Sequence, residues 1–158
     1  MRKYVIVLTI VALVLAIVVI FSWLFNPVPS QQLQTQPIIE RTAIVDYVVD
    51  GDTIRFQGGE KVRLVDVDTP ELHSSDPDEV AQAERAKEFV ENLCLPETEV
   101  GLNVDDLEPT DHYGRTLAIV YVEIDNVWTN LNAELLRLGF AEILYIPPSE
   151  FNPYKWLS

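Results

Sequence analysis

The sequence predicts an α+β chain, mainly β with helices: a five-stranded barrel of the OB type carrying two packed helices, preceded by one N-terminal transmembrane helix. Three observations predict it. Short β-branched and aliphatic runs recur from Ala43 onward, separated by turn residues. In two places, Val80–Leu93 and Asn132–Leu138, the apolar spacing lengthens from two to three or four. Tyr4 to Phe25 contains no charged residue. Beyond that segment the order is three strands, a helix, two strands and a helix, and a barrel with helices against it closes such a chain economically.

As a helix, residues 4–25 would be about 33 Å long, enough to cross a hydrocarbon core of about 30 Å. A cleaved signal peptide would need a shorter apolar region ending in small residues, whereas Phe21-Ser22-Trp23-Leu24-Phe25 is bulky there. Arg2 and Lys3 precede the span, and no Lys or Arg follows it until Arg41. That asymmetry places residues 1–3 in the cytoplasm and the rest outside, as a single-pass protein of the cell membrane. Residues 26–40 hold Pro27, Pro29, Pro37 and four glutamines, the composition of an extended linker. The folded domain is then 41–158.

Within it, Ala43–Val49 is the first strand, Asp50-Gly51-Asp52-Thr53 a turn, and Ile54-Arg55-Phe56 the second strand. Asp52 shares a strand face with Ile54 and Phe56, and a carboxylate on a core face needs a partner, either a bound cation or Arg63. Gln57-Gly58-Gly59-Glu60 is a hairpin turn whose glycines tolerate positive φ. Val62–Val67 is the third strand, with Arg63 on the face of Val65 and Val67, and Asp68 and Glu71 gathered where Pro70 breaks it. Ser75 or Asp76 caps a helix that has Pro77 at its first position and an apolar stripe of Val80, Ala83, Ala86, Val90 and Leu93. Glu79, Glu84, Glu88 and Glu91 form its solvated side. Glu99–Val104 and Leu117–Ile124 are strands, separated by a polar loop that closes with Asp111-His112-Tyr113-Gly114-Arg115. Asp125-Asn126 turns the chain, and Gly139 is placed to stop the last helix.

With 25 acidic residues against 11 basic ones, a net charge of −14, the overall field cannot recruit nucleic acid or anionic lipid. One cysteine, Cys94, permits no internal disulfide. Any function must therefore reside in a local cluster. Arg63, Asp68 and Glu71 set fixed charges of both signs side by side, which suits phosphate and metal chemistry; the plain alternative is a surface ion pair.

Taken in series, Asp50-Gly51-Asp52-Thr53, the run from Arg63 to Glu71, Asp111 to Arg115, and Asn132 to Ala141 resemble the motifs of the staphylococcal nuclease (thermonuclease) family, in order and spacing, over about residues 41–146. The resemblance implies an OB-fold, calcium-dependent phosphodiesterase acting on DNA and RNA. It makes Asp52 and Asp68 carboxylate ligands of calcium, with the Thr69 backbone carbonyl beside them. Arg63 and Arg115 would grip the scissile phosphate and stabilise the charge that grows on it. Glu71 would activate or orient the attacking water, the 5′ P–O bond would break, and Tyr113 and Tyr145 would line a nucleotide pocket. His112 stands where the type enzyme has a lysine, and Pro147 where it has a second pocket tyrosine. Two further classes compete: a catalytically inactive nuclease-like OB module that binds protein or nucleic acid, and a membrane-tethered structural domain. Inactive relatives typically lose the acidic and arginine residues, whereas Asp52, Arg63, Asp68, Glu71 and Arg115 are all present here.

Overall fold

The computed structural model describes residues 36–157. The expected anchor at 4–25 and the linker up to residue 35 lie outside the described residues, among which no helix is long and apolar enough to cross a membrane. From Pro37 onward the chain forms one compact unit.

Strands β1 (Arg41–Val48), β2 (Thr53–Phe56) and β3 (Lys61–Leu64) form an antiparallel meander, and β4 (Val67–Asp68) follows. Helix α1 (Pro77–Leu93) leads to β5 (Glu99–Val104), β6 (Thr116–Ile124) and β7 (Val127–Asn130). Helix α2 (Leu131–Arg137), β8 (Glu142–Ile143) and one turn of 3-10 helix (Pro153–Lys155) complete the chain. β1 pairs with β5, β5 with β6, and a parallel pairing of β3 with β6 closes the ring, giving a five-stranded barrel to which β7 is appended. Those five strands are the five expected.

Strand alternation sends Val45, Ile54, Phe56, Val62, Leu64, Val100, Leu102 and Val120 into the barrel, all essentially inaccessible to water. Helix α1, which also buries Ala83 and Ala86, covers them with Val90, and α2 with Leu131 and Leu135. Each buried Val or Leu contributes about 1.5–3 kcal/mol. The α1 N-terminus is the expected one: the Asp76 carboxylate accepts from Asp78 N–H at 2.9 Å, and Pro77 opens the helix. Cys94, at its other end, is buried, which pushes its thiol up to about 12.

Three expectations need correcting. The strand expected over Val62–Val67 ends at Leu64, because Asp66 turns left-handed at φ 60° and sends Val67–Asp68 off to pair with β8. Arg63, Val65 and Val67 consequently do not share a face. Val67 enters the main core, while Val65 joins a second cluster with Ile119 and Tyr121. Glu79 is not simply solvated; it accepts from Ser74 Oγ–H and, at 3.5 Å, from Glu71 N–H, so it fastens the loop ahead of its own helix. The fold also begins earlier than Arg41, since Glu40 N–H bonds Leu102 O at 2.9 Å and Ile39 packs over Gly101.

Two details aim the pieces that matter for function. A Cβ on Gly51 would lie 2.8 Å from Thr69 Oγ1 and 2.9 Å from Ala86 Cβ, so only glycine lets the β1–β2 turn press against both. Buried Asn132 accepts from Val120 N–H at 3.0 Å and donates to Val65 O at 2.9 Å and Ala118 O at 3.3 Å. It thereby ties the turn after β3 to β6.

Candidate active site

Thr53 pairs directly with Arg63 across β2 and β3, which brings the arginine beside Asp52 at the strand entrance. Arg63 Nη2 lies 3.2 Å from Asp52 Oδ2 and 2.8 Å from Asp68 Oδ1, and its Nη1 donates to Val67 O at 3.1 Å. One guanidinium nitrogen is thus shared by two carboxylates, of which Asp52 is 7 % exposed. That is not enough to balance them. Burial raises the Asp52 carboxyl above its ordinary value against the pull of Arg63, with the Asp50 charge adding to the rise. Asp68 is raised in the same way, by burial first, opposed by Arg63 and reinforced by Asp52.

Arg115 reaches the same place from the loop before β6. Its Nε donates to Asp111 Oδ2 at 2.7 Å and its Nη1 to Thr53 Oγ1 at 3.2 Å, while Thr53 Oγ1 donates to Asp52 Oδ1 at 2.9 Å. Asp111 also accepts the N–H groups of Tyr113 and Arg115, each at 2.9 Å, so one carboxylate shapes the turn and aims the guanidinium. Burial acts to raise Asp111, but the bonds from Arg115 and Tyr113 and the Arg115 charge outweigh it and hold the carboxyl below its ordinary value.

Asp50, Asp52, Arg63, Thr69, Glu71 and Arg115, with Pro70, enclose a cleft of about 140 Å³. Of the residues singled out from the sequence, Asp52, Arg63, Thr69, Glu71 and Arg115 thus come together, and Asp68 joins them through Arg63. Tyr113 stands at the edge: it is exposed, with the Arg115 guanidinium 5.4 Å from its ring centre and the His112 ring at 3.7 Å. Tyr145 is not brought in and instead meets Tyr154 edge-on at 6.5 Å. A second pocket, about 310 Å³, shares Arg63 and Arg115 with the cleft. Neither tyrosine walls it; Leu144 and Ile146, on either side of Tyr145, do.

Among the described residues no three His, Cys, Asp or Glu side chains form a ready-made metal cage. The expected ligand set has only two side chains, Asp52 and Asp68, plus the Thr69 carbonyl. Both carboxylates converge on a single cationic nitrogen that leaves them under-neutralised, and hard oxygen donors of this kind fit calcium or magnesium. Sequence reasoning missed Thr53, Asp111 and Asp50. Asp111 left a legible signal, an Asp opening a loop that closes at Gly114, whose φ is 77°. Thr53 left none, because its role depends on cross-strand register.

Residues 61–157 match the family described as Staphylococcal nuclease homologue. Endonuclease YhcR of Bacillus subtilis is 33% identical over 118 residues, covering 69% of this chain and 9% of that protein. An uncharacterized protein of Methanocaldococcus jannaschii, MJ1439, is 33% identical over 115 residues, 61% of this chain and 56% of its own length. The Thermonuclease of Staphylococcus intermedius is 32% identical over 137 residues, 85% of this chain and 77% of the relative. The chain therefore spans a small part of the first, about half of the second and most of the third.

Proposed function

Since the chain belongs to the staphylococcal nuclease homologue family, we propose that it is a metal-dependent nuclease that hydrolyses the phosphodiester bonds of DNA, with RNA as a further substrate. One observation carries this reading: two arginines and Glu71 line the same small cleft as Asp52 and Thr69. A phosphate diester entering it meets two planar guanidinium forks, which match its oxygens and stabilise the extra charge of the transition state. Arg115 is already aimed by Asp111 and Thr53. Arg63, held by Asp52 and Asp68, has to loosen from one of them to reach a phosphate. Glu71 lines the cleft and is open to water, and Glu79 fastens its loop.

Calcium is the cation we propose, held by Asp52, Asp68 and the Thr69 carbonyl. When bound it would supply charge stabilisation to the phosphoryl oxygens. The inactive-module reading is less well supported, because each acidic and arginine residue it would lack is present in the cleft or bonded to it. We further propose that residues 4–25 tether the domain to the outer face of the cell membrane. Release of the domain by external protease on intact cells tests that orientation, and retention beside a cut control would reverse it. The activity is tested by plasmid nicking with calcium and with EDTA: nicking is expected only with the ion, and undiminished cleavage in EDTA would remove the metal from the mechanism.

A further inference from the structure

Two further hollows adjoin the cleft on its Glu71 side. The nearer, about 290 Å³, shares Thr69, Pro70 and Glu71 with the cleft. The farther, about 260 Å³, shares Pro70, Gln82, Gly139 and Phe140 with the nearer one and has Arg85 as its only charged residue. Charge therefore alternates along the series. Arg63 and Arg115 stand in the cleft, the carboxylates of Asp68, Glu71, Glu79 and Glu142 line the nearer hollow, and Arg85 lines the farther one.

Arg85 is placed unlike most cations of this domain. Arg41, Arg55, Lys87 and Arg137 are paired with the carboxylates of Glu60, Asp46, Glu91 and Glu134. Arg85, on the exposed side of α1, has no ion partner among the described residues. In a chain with so large an excess of acid, a guanidinium set in a concavity and held by no carboxylate is free to take an anion from outside, and its planar fork matches the oxygens of a phosphate. The Gln82 amide in the same hollow can add an N–H donor.

A nucleic-acid strand carries the complementary order of anionic phosphate, neutral nucleoside and anionic phosphate. On the nuclease reading, we infer that Arg85 binds the phosphate one nucleoside removed from the scissile one. The nucleoside between them lies over the acidic hollow, where the N–H groups of its base, and the 2′-hydroxyl of RNA, meet the carboxylates as donors. Neither phosphate then has to rest on the acidic wall. A strand held at two phosphates is positioned better than a dinucleotide, which ends before it reaches Arg85.

The test compares a dinucleoside monophosphate, whose one phosphate is the scissile one, with a single-stranded DNA tetranucleotide cut at its central linkage. kcat/KM is measured at saturating calcium for the wild type and Arg85→Ala. The wild type is expected to favour the tetranucleotide about tenfold, and Arg85→Ala should lose most of that advantage. Two modified tetranucleotides, each with a neutral methylphosphonate in place of one flanking linkage, identify the phosphate concerned. One of them should cost the wild type the same factor and cost Arg85→Ala nothing further, because the two changes remove a single contact. Since ratios are read, a uniform loss of rate cancels out of the comparison. Equal efficiency of the wild type on both lengths, an undiminished length preference in Arg85→Ala, or a methylphosphonate loss that persists in that variant would overturn the Arg85 site and leave the nuclease reading intact. No cleavage of any substrate would overturn both.

Discussion

At the scale of single residues, the site depends on arginines whose planar forks are already divided among several partners. Arg63 bonds Val67 O with one terminal nitrogen and bridges Asp52 and Asp68 with the other. An ammonium keeps the charge but cannot span those directions, so Arg63→Lys should lower turnover about 100-fold with the circular dichroism spectrum unchanged. A Lys variant as active as wild type would make Arg63 a structural residue. Asp111 yields a pH prediction. Its carboxyl is held below its ordinary value in the fold, so its contribution is present above the unfolded value of about 3.9 and is lost as pH falls through the depressed one. The Tm advantage of wild type over Asp111→Asn should therefore be largest at neutral pH and shrink as pH drops below about 4. An advantage that persisted at low pH would assign the effect to packing rather than to charge.

At the scale of elements, the connections between strands carry more of the site than the strands do. The turn after β3 exists because Asp66 accepts a left-handed backbone, and it is held in place by Asn132 from α2 and by Leu144 N–H bonding Asp66 O at 3.0 Å. Removing the Asn132 amide would leave Val65 O, Ala118 O and Val120 N–H without that partner in a buried place. Asn132→Ala should accordingly lower unfolding stability by about 3 kcal/mol, read from urea denaturation. A loss under about 1 kcal/mol would mean that water or a shifted α2 replaces the amide. The Gly51 turn has the same character, since Asp50 and Asp52 stand where they do only because nothing projects between them, Thr69 and α1.

At the scale of the whole molecule, charge is the feature that sits least easily with a polyanionic substrate. Residues 41–158 hold nine Lys and Arg against 24 Asp and Glu. Repulsion at long range is screened beyond about 8 Å at physiological ionic strength, whereas on the proposed mechanism the arginines would act in contact with the phosphate. A basic nucleic-acid binder weakens steadily as salt displaces its phosphate contacts. Here KM for a short single-stranded DNA, at saturating calcium, should stay flat or fall between low and moderate potassium chloride before it rises. A steep rise from the lowest salt would show that an unrecognised basic surface governs binding.

The barrel was legible in the chain because it rests on local rules, and most of the residues that line its cleft were named through the family resemblance. Alternation from Ala43 to Phe56, the Gly58-Gly59 turn, the Asp76-Pro77 helix start and the stop at Gly139 are each decided by neighbours a few positions apart, and four ordered motifs carried the family resemblance. What sequence alone could not reach was set by contacts between distant segments. The break of the third strand at Leu64 depends on Asp66 finding Leu144 and Ser149, more than 75 positions away. Thr53 links Asp52 to Arg115 only because β2 and the loop before β6 meet. One oxygen of Asp105 has no partner among the described residues, because the barrel buries one side of a carboxylate whose other side is consumed by three backbone N–H groups. Propensity and turn chemistry act along the chain, whereas burial and the pairing of polar atoms are settled only once the ring closes.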